Sequence, residues 1–278
     1  MSAPIITVSE LRKVFPAPRG SKGEEVVAVD GVSFDLYADE CLAIVGESGS
    51  GKTTVARMIV GLETITSGTV TVLGQDRSAA PRSLAARRER AREVQYVFQD
   101  PYSSLNGRQR IGEVIMSNLR LHAKAAGARP AEGTIKQQAQ GILDAVGLPQ
   151  RFFDRYPREL SGGQRQRVAI ARALAADPKV IVLDEAVAAL DVSIQAQILN
   201  LLADIKAERQ VSYLFISHDL AVVHQISDRM VVMENGVIVD QGITADLLAN
   251  PTHPYTRSLR AAVPGPGWKP KRRERLAS

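Results

Sequence analysis

The sequence predicts an α/β protein: a parallel sheet interrupted by a helical insert, with a small antiparallel sheet beside it. Three observations carry that prediction. Residues 180–183, 213–216 and 230–233 are short runs, apolar throughout and separated by helical segments, as strands buried on both faces of a parallel sheet are. Residues 41–45 form another such run and lead through a glycine-rich turn into a helical pattern. From about residue 100 to 175 the pattern is mainly helical, without strong strands.

The elements follow in order. Residues 5–8 and 32–36 alternate or nearly alternate apolar with polar, as half-exposed strands do. The loop between them contains Pro16, Pro18, Gly20 and Gly23. Residues 69–72 make a third such strand, completing the antiparallel sheet. A helix is predicted over 52–61, with Val55, Met58, Ile59 and Leu62 at helical spacing and Gly61 at its end. Residues 93–98 read as a buried strand ending at Gln99. Ile142, Leu143, Val146 and Leu148 form one apolar stripe, stopped by Gly147 and Pro149. Glu234, Asn235 and Gly236 make a hairpin turn into a strand over 237–239.

Composition narrows the class. At 278 residues and 45% hydrophobic content the chain suits one large α/β domain or two modest ones. No window approaches the roughly 18 consecutive apolar residues of a membrane span. No basic region followed by an apolar core opens the sequence, so a cytosolic location is expected. The single cysteine, Cys41, excludes an internal disulfide and reads as core filling. The formal net charge of +5 gathers in two places. Residues 87–92 read as a solvated helix face. The tail 269–275, near Pro264, Pro266 and Pro270, reads as disordered, with a weak attraction to anionic lipid of about 1 kcal/mol per basic residue near the surface.

The chemistry begins at residues 46–54, Gly-Glu-Ser-Gly-Ser-Gly-Lys-Thr-Thr, which fit the phosphate-loop pattern G-x-x-x-x-G-K-[ST] between strand and helix. Gly46, Gly49 and Gly51 let the backbone turn its N–H groups on one point, joined by Glu47, Ser48 and Ser50. The following helix adds the positive end of its dipole. Lys52 reaches the β- and γ-phosphates, Thr53 places a hydroxyl on Mg²⁺, and Thr54 completes the loop. Residues 180–185 end a buried strand in two carboxylates, on the sheet edge where α/β ligands sit. Asp184 is expected to hold Mg²⁺ through water, and Glu185 to orient or deprotonate an attacking water. The plainer alternative is a pair that caps the next helix. Ser161, Gly162, Gly163 and Gln164 open another helix, with Ser161 as its cap and the glycines allowing close backbone approach to a second anion. Its apolar face is Val168, Ala171 and Leu174.

With these motifs in place the chain resembles an ATP-binding-cassette (ABC) ATPase, a P-loop NTPase with a RecA-like core, over nearly its whole length. The resemblance adds Gln99 as the Q-loop glutamine, 160–164 as the signature, Asp191 in the D-loop and His218 as the switch histidine. It implies catalytic roles for Glu185, His218, Gln99 and Lys52, with Thr53, Gln99 and Asp184 around the metal. Residues 99–106, 190–197 and 251–256 are similar to the oligopeptide/dipeptide importer class, which includes nickel and glutathione importers. The implied cofactors are ATP and Mg²⁺. The implied partners are a second cassette paired head to tail, with Ser161 and the glycine N–H groups reaching ATP in trans, two transmembrane permeases and, indirectly, an extracytoplasmic solute-binding protein. No nucleic acid is implied, and the location becomes the cytoplasmic face of the inner membrane. Phe15 lies where the family stacks a tyrosine on adenine. The divisions implied are 1–98, antiparallel sheet and phosphate loop; 99–172, Q-loop and helical subdomain; 173–245, the rest of the core; and 246–278, a C-terminal extension.

Three departures from the family pattern stand out. Ala186, Val187 and Ala188 replace Pro-Thr-Ser after the glutamate, Gly107 replaces a proline, and Asp39 replaces a glycine before Glu40. None removes an essential catalytic group, so an active site is expected, with slower turnover and a non-identical partner cassette both allowed. Two other readings remain: a nucleotide-gated regulatory cassette with little hydrolysis, and a cassette of DNA repair or ribosome regulation. The second lacks its usual coiled coil, zinc cysteines or tandem repeat here.

Overall fold

The computed structural model describes residues 3–16, 25–100, 104–125 and 127–262. Pro18, Gly20 and Gly23, and the proline-rich basic tail, lie outside the described residues.

Strands β1 (Ile6–Phe15), β2 (Val26–Leu36), β4 (Ser67–Val72) and β5 (Gln75–Asp76) form an antiparallel sheet in the order β2-β1-β4-β5. β1 and β2 run well beyond the predicted 5–8 and 32–36. The reason is local: their register shifts between Val8 and Leu11 and again around Lys13, and Glu10 sits at φ 48. A bulge of this kind breaks the alternation on which a sequence reading depends. Gly68 is the matching requirement on β4, since a Cβ there would fall on the Glu10 carbonyl.

The second sheet has the order β10-β9-β3-β8-β7-β6, from β3 (Cys41–Val45), β6 (Val94–Val97), β7 (Val180–Asp184), β8 (Ser212–Ser217), β9 (Arg229–Glu234) and β10 (Val237–Ile243). All its pairings are parallel except the β9–β10 hairpin. Side chains divide by pleat. Cys41, Ala43, Val45, Ile181, Leu183, Tyr213 and Phe215 join one core cluster, formed mainly with helices. Leu42, Ile44, Val180, Val182, Leu214 and Ile216 join the other, formed with the antiparallel sheet and α1 (Lys52–Ile59). Both faces are covered, which is why these runs are apolar throughout. The Cys41 thiol is fully buried and its pKa is pushed up by that burial, so it packs as a small hydrophobe.

α1 ends two residues before the predicted boundary, and Leu62 is 58% exposed instead of continuing its apolar face. The predicted strand over 93–98 shortens to Val94–Val97, because Glu93 closes α2 (Leu84–Glu93) and pairs with Arg77. No residue of α2 is buried, as expected of the solvated run 87–92. Between β6 and β7 come α3 (Ile111–Ala125), α4 (Glu132–Ala145) and α5 (Gly162–Leu174). α6 (Val192–Arg209), α7 (Leu220–Ile226), α8 (Thr244–Ala249) and α9 (Pro254–Ala262) follow. The departure at Asp39 lies at φ 57, a left-handed conformation that glycine adopts freely. Asp39→Gly is therefore expected to stabilise the fold by up to about 1 kcal/mol. An unchanged urea midpoint would contradict it.

Candidate nucleotide site

Topology places the site before any side chain is considered. β3 is flanked by β8 on one side and β9 on the other, with β7 beyond β8. The parallel register aligns Val45 with Ser217, and Asp184 with Ile216. The turn after β3, the carboxylates at the end of β7 and the histidine after β8 therefore share one sheet edge. It lies at the carboxyl ends of the strands, where open α/β sheets bind ligands.

The turn after β3 needs its glycines. Gly51 has φ 99, and a Cβ on it would lie 2.5 Å from the Ala28 carbonyl oxygen. α1 starts at Lys52 with Gly51 as its cap and no side-chain capping bond, an end suited to an anion. Lys52 is 5% exposed and curls back on the turn. Its ammonium donates to the carbonyls of Gly46 (2.9 Å) and Glu47 (2.6 Å) and to Ser50 Oγ (3.3 Å). Burial lowers its pKa, and the carboxylates of Glu185, Asp184 and Glu47 oppose that fall.

Asp184 is held at both oxygens. Thr53 Oγ1 donates to Oδ1 at 3.0 Å and the Tyr96 hydroxyl donates to Oδ2 at 2.6 Å. Tyr96 is the residue that the sequence reading missed. Inside β6 it looks like any core aromatic, and only the β6–β7 pairing brings it beside Asp184. Its burial, then its bond to Asp184, raise the phenol pKa, so it stays a donor. Tyr96→Phe leaves a buried carboxylate oxygen short of a donor, an expected loss of about 1–3 kcal/mol in unfolding free energy. A wild-type urea midpoint would contradict this.

Glu185 gathers the next two predicted residues. Gln99 Nε2 donates to its Oε2 at 2.8 Å, and His218 Nδ1 lies 3.3 Å from its Oε1. Its backbone sits at φ 47, held by an N–H bond to the Ile216 carbonyl at 3.0 Å. A bulky residue kept left-handed at the centre of such a cluster is strain of the kind found at functional sites.

The second predicted anion site looks different. Ser161 and Gln164 form a reciprocal capping box at the start of α5, so Ser161 is a cap as expected. Gly163 also has a packing role that the sequence does not show. A Cβ on Gly163 would fall on Ile194 Cγ2, so this glycine is required for α5 to pack on α6. Gly163→Ala is expected to cost about 1–3 kcal/mol by overpacking, with most of it recovered by adding Ile194→Ala. Failure of that rescue in denaturation experiments would contradict the packing role of Gly163.

The remaining predicted residues are dispersed. Asp191 caps α6 without a side-chain capping bond. Ala186 and Val187 are buried, and the Val187 carbonyl accepts from Gln195 Nε2 at 2.9 Å. Phe15 ends β1 with the Lys13 ammonium 4.8 Å from its ring centroid.

Comparisons with known proteins point to one family. The family model described as "ABC transporter" matches residues 29–188. The dipeptide transport ATP-binding protein DppF of Haemophilus influenzae is 42% identical over 265 residues, 95% of this chain and 79% of that protein. The glutathione import ATP-binding protein GsiA of Escherichia coli is 48% identical over 265 residues, 94% of this chain. The chain spans only 41% of the length of that relative. Among solved structures, the dimeric cassette MJ0796 in a post-hydrolysis state with ADP and Pi superposes with a TM-score of 0.75 at 25% identity, covering 86% of this chain and 98% of that one. The cassette cbiO1 of Clostridium perfringens, part of the complex cbiONQ, gives 0.75 at 26% identity, covering 90% and 92%.

Proposed function

This chain belongs to the ABC transporter family, and from that premise we propose that it is the ATP-hydrolysing subunit of an importer for small peptides or related solutes. One observation carries the proposal. Lys52, Thr53, Asp184, Gln99, Glu185 and His218 come from four separate stretches of sequence and meet at one sheet edge.

In this reading the turn 46–54 binds the triphosphate, with Lys52 on the β- and γ-phosphates. Thr53 and Asp184 offer a hydroxyl and a carboxylate to Mg²⁺, an all-oxygen set suited to an ion that keeps waters and phosphate oxygens in its octahedral shell. When bound, the ion supplies charge neutralisation on the phosphate oxygens. Glu185 takes the proton of the attacking water, Gln99 and His218 hold that carboxylate in place, and His218 reads the γ-phosphate.

Two cassettes pair head to tail, so that Ser161 and the N–H groups of Gly162 and Gly163 reach the nucleotide of the opposite cassette. Such charge-assisted bonds contribute about 1.5–3 kcal/mol each, and loss of the γ-phosphate removes several together. Asp191 takes part in that interface, and Phe15 stacks on adenine. The helices between β6 and β7 engage the permeases, and Gln99 links them to the metal. Among the described residues no helix is long and apolar enough to cross a membrane. In this reading the permeases span it and this chain sits on their cytoplasmic face. The names of the dipeptide and glutathione relatives support the solute class.

The test is co-purification of the membrane complex with its solute identified by mass spectrometry. Permeases and a peptide-like solute are the expected result. Recovery with nucleic acid instead, or ATP turnover indifferent to permeases and solute, would overturn the transport assignment.

A further inference from the structure

The stretch 251–256, Pro-Thr-His-Pro-Tyr-Thr, has no task in the site described so far. It opens α9, yet Tyr255 reaches back across more than two hundred residues to the phosphate loop. The backbone N–H of Glu47 donates to the Tyr255 hydroxyl at 2.9 Å. That N–H belongs to the Gly46–Glu47 peptide, whose carbonyl, on Gly46, accepts from Lys52 Nζ at 2.9 Å. One peptide plane therefore joins the C-terminal tyrosine to the loop lysine.

The surroundings make this a fixed arrangement. Thr256, next along, is 1% exposed and donates to Asp240 Oδ2 on β10 at 3.0 Å. The Tyr255 ring packs against the main core cluster, as does Leu259 one turn on. Arg257 Nε donates to the Pro251 carbonyl at 3.0 Å, closing the turn before the helix. The phenol is thus held by its own helix, and its oxygen meets the loop where Gly46 stands at φ 153. A glycine peptide with that freedom rotates readily unless something fixes it. A rotated peptide would turn its carbonyl away from Lys52.

We propose that Tyr255 is a positioning residue for the phosphate loop: its hydroxyl fixes the Gly46–Glu47 peptide and, through the Gly46 carbonyl, the place of the Lys52 ammonium. The C-terminal segment thereby sets nucleotide affinity without touching nucleotide. This rests on the nucleotide-site reading above.

Tyr255→Phe keeps the ring and its packing and removes only the hydroxyl. Binding of a fluorescent ATP analogue to the full chain, with Mg²⁺, is compared among wild type, Tyr255→Phe and Lys52→Ala. Hydrogen exchange of the peptide containing Glu47 is followed without nucleotide. Affinity is expected to fall about three- to tenfold in Tyr255→Phe, the worth of one ordinary hydrogen bond. Exchange at the loop peptide is expected to quicken, while peptides of β7 and β8 exchange as before. In the complete assembly KM for ATP rises by the same factor and kcat stays within about twofold.

Wild-type affinity and unchanged loop exchange in Tyr255→Phe, with Lys52→Ala defective, would overturn the tyrosine's role and leave the site standing. No binding by wild type would overturn both. Faster exchange throughout the chain would mean a purely structural part for Tyr255, and that too refutes the proposal. Thr256→Val, which loosens the helix and leaves the hydroxyl, is expected to reproduce the affinity loss more weakly.

Discussion

Replacing Glu185 with Gln in the complete transporter is expected to lower ATP turnover by about 10²- to 10⁴-fold, the usual worth of general-base assistance, while ATP binding persists. The geometry explains why binding should survive. Glu185 contacts Gln99 and His218, whereas the triphosphate would be held by the turn 46–54 and Lys52. Glutamine matches the size of the carboxylate and can still accept from Gln99, so the cluster keeps its shape and loses its proton acceptor. Turnover at the wild-type rate would remove Glu185 from the base role.

Lys52→Ala is expected to act on the other half of the reaction, weakening ATP binding by more than about a hundredfold, from the loss of two charge-assisted bonds of about 1.5–3 kcal/mol each. Electrostatics add to the loss. Asp184, Glu185 and Glu47 all lie near enough to oppose the fall in the Lys52 pKa. Without the ammonium those carboxylates face a triphosphate. Equilibrium binding with a labelled nucleotide measures the effect, and an affinity within threefold of wild type would contradict it. The two substitutions should separate cleanly: one protein that binds and does not cut, another that does not bind.

Much of this was legible in the sequence, for physical reasons that can be named. Strands β3, β7, β8 and β9 are buried on both faces, so their residues are apolar without interruption and their ends are marked by glycine or charge. The turn 46–54 announces itself because its backbone path demands glycine. The half-exposed strands were harder. β1 and β2 carry a bulge at Glu10 and drop out of period there. Tyr96 was invisible as part of the site, because the property that matters is a hydroxyl 2.6 Å from Asp184, across a parallel pairing of residues 88 positions apart. The packing role of Gly163 was hidden for a related reason, since the atom it makes room for belongs to Ile194 on another helix. Tyr255 is the extreme case: its partner lies 208 residues away, beyond the reach of any local pattern.

The central idea is that ATP closes two opposed cassettes and that its hydrolysis lets them part. The most direct measurement is a distance in the purified complete assembly, between a spin label on Arg158→Cys of this chain, near its signature, and one on the phosphate-loop helix of the opposite cassette. The buried Cys41 leaves the labelling selective within this chain. In the Glu185→Gln background, ATP with magnesium should gather the distances into one short population. In Lys52→Ala they should stay as they are without nucleotide. A distribution in the Glu185→Gln assembly that ATP does not change would contradict closure around the nucleotide, and the transport mechanism built on it.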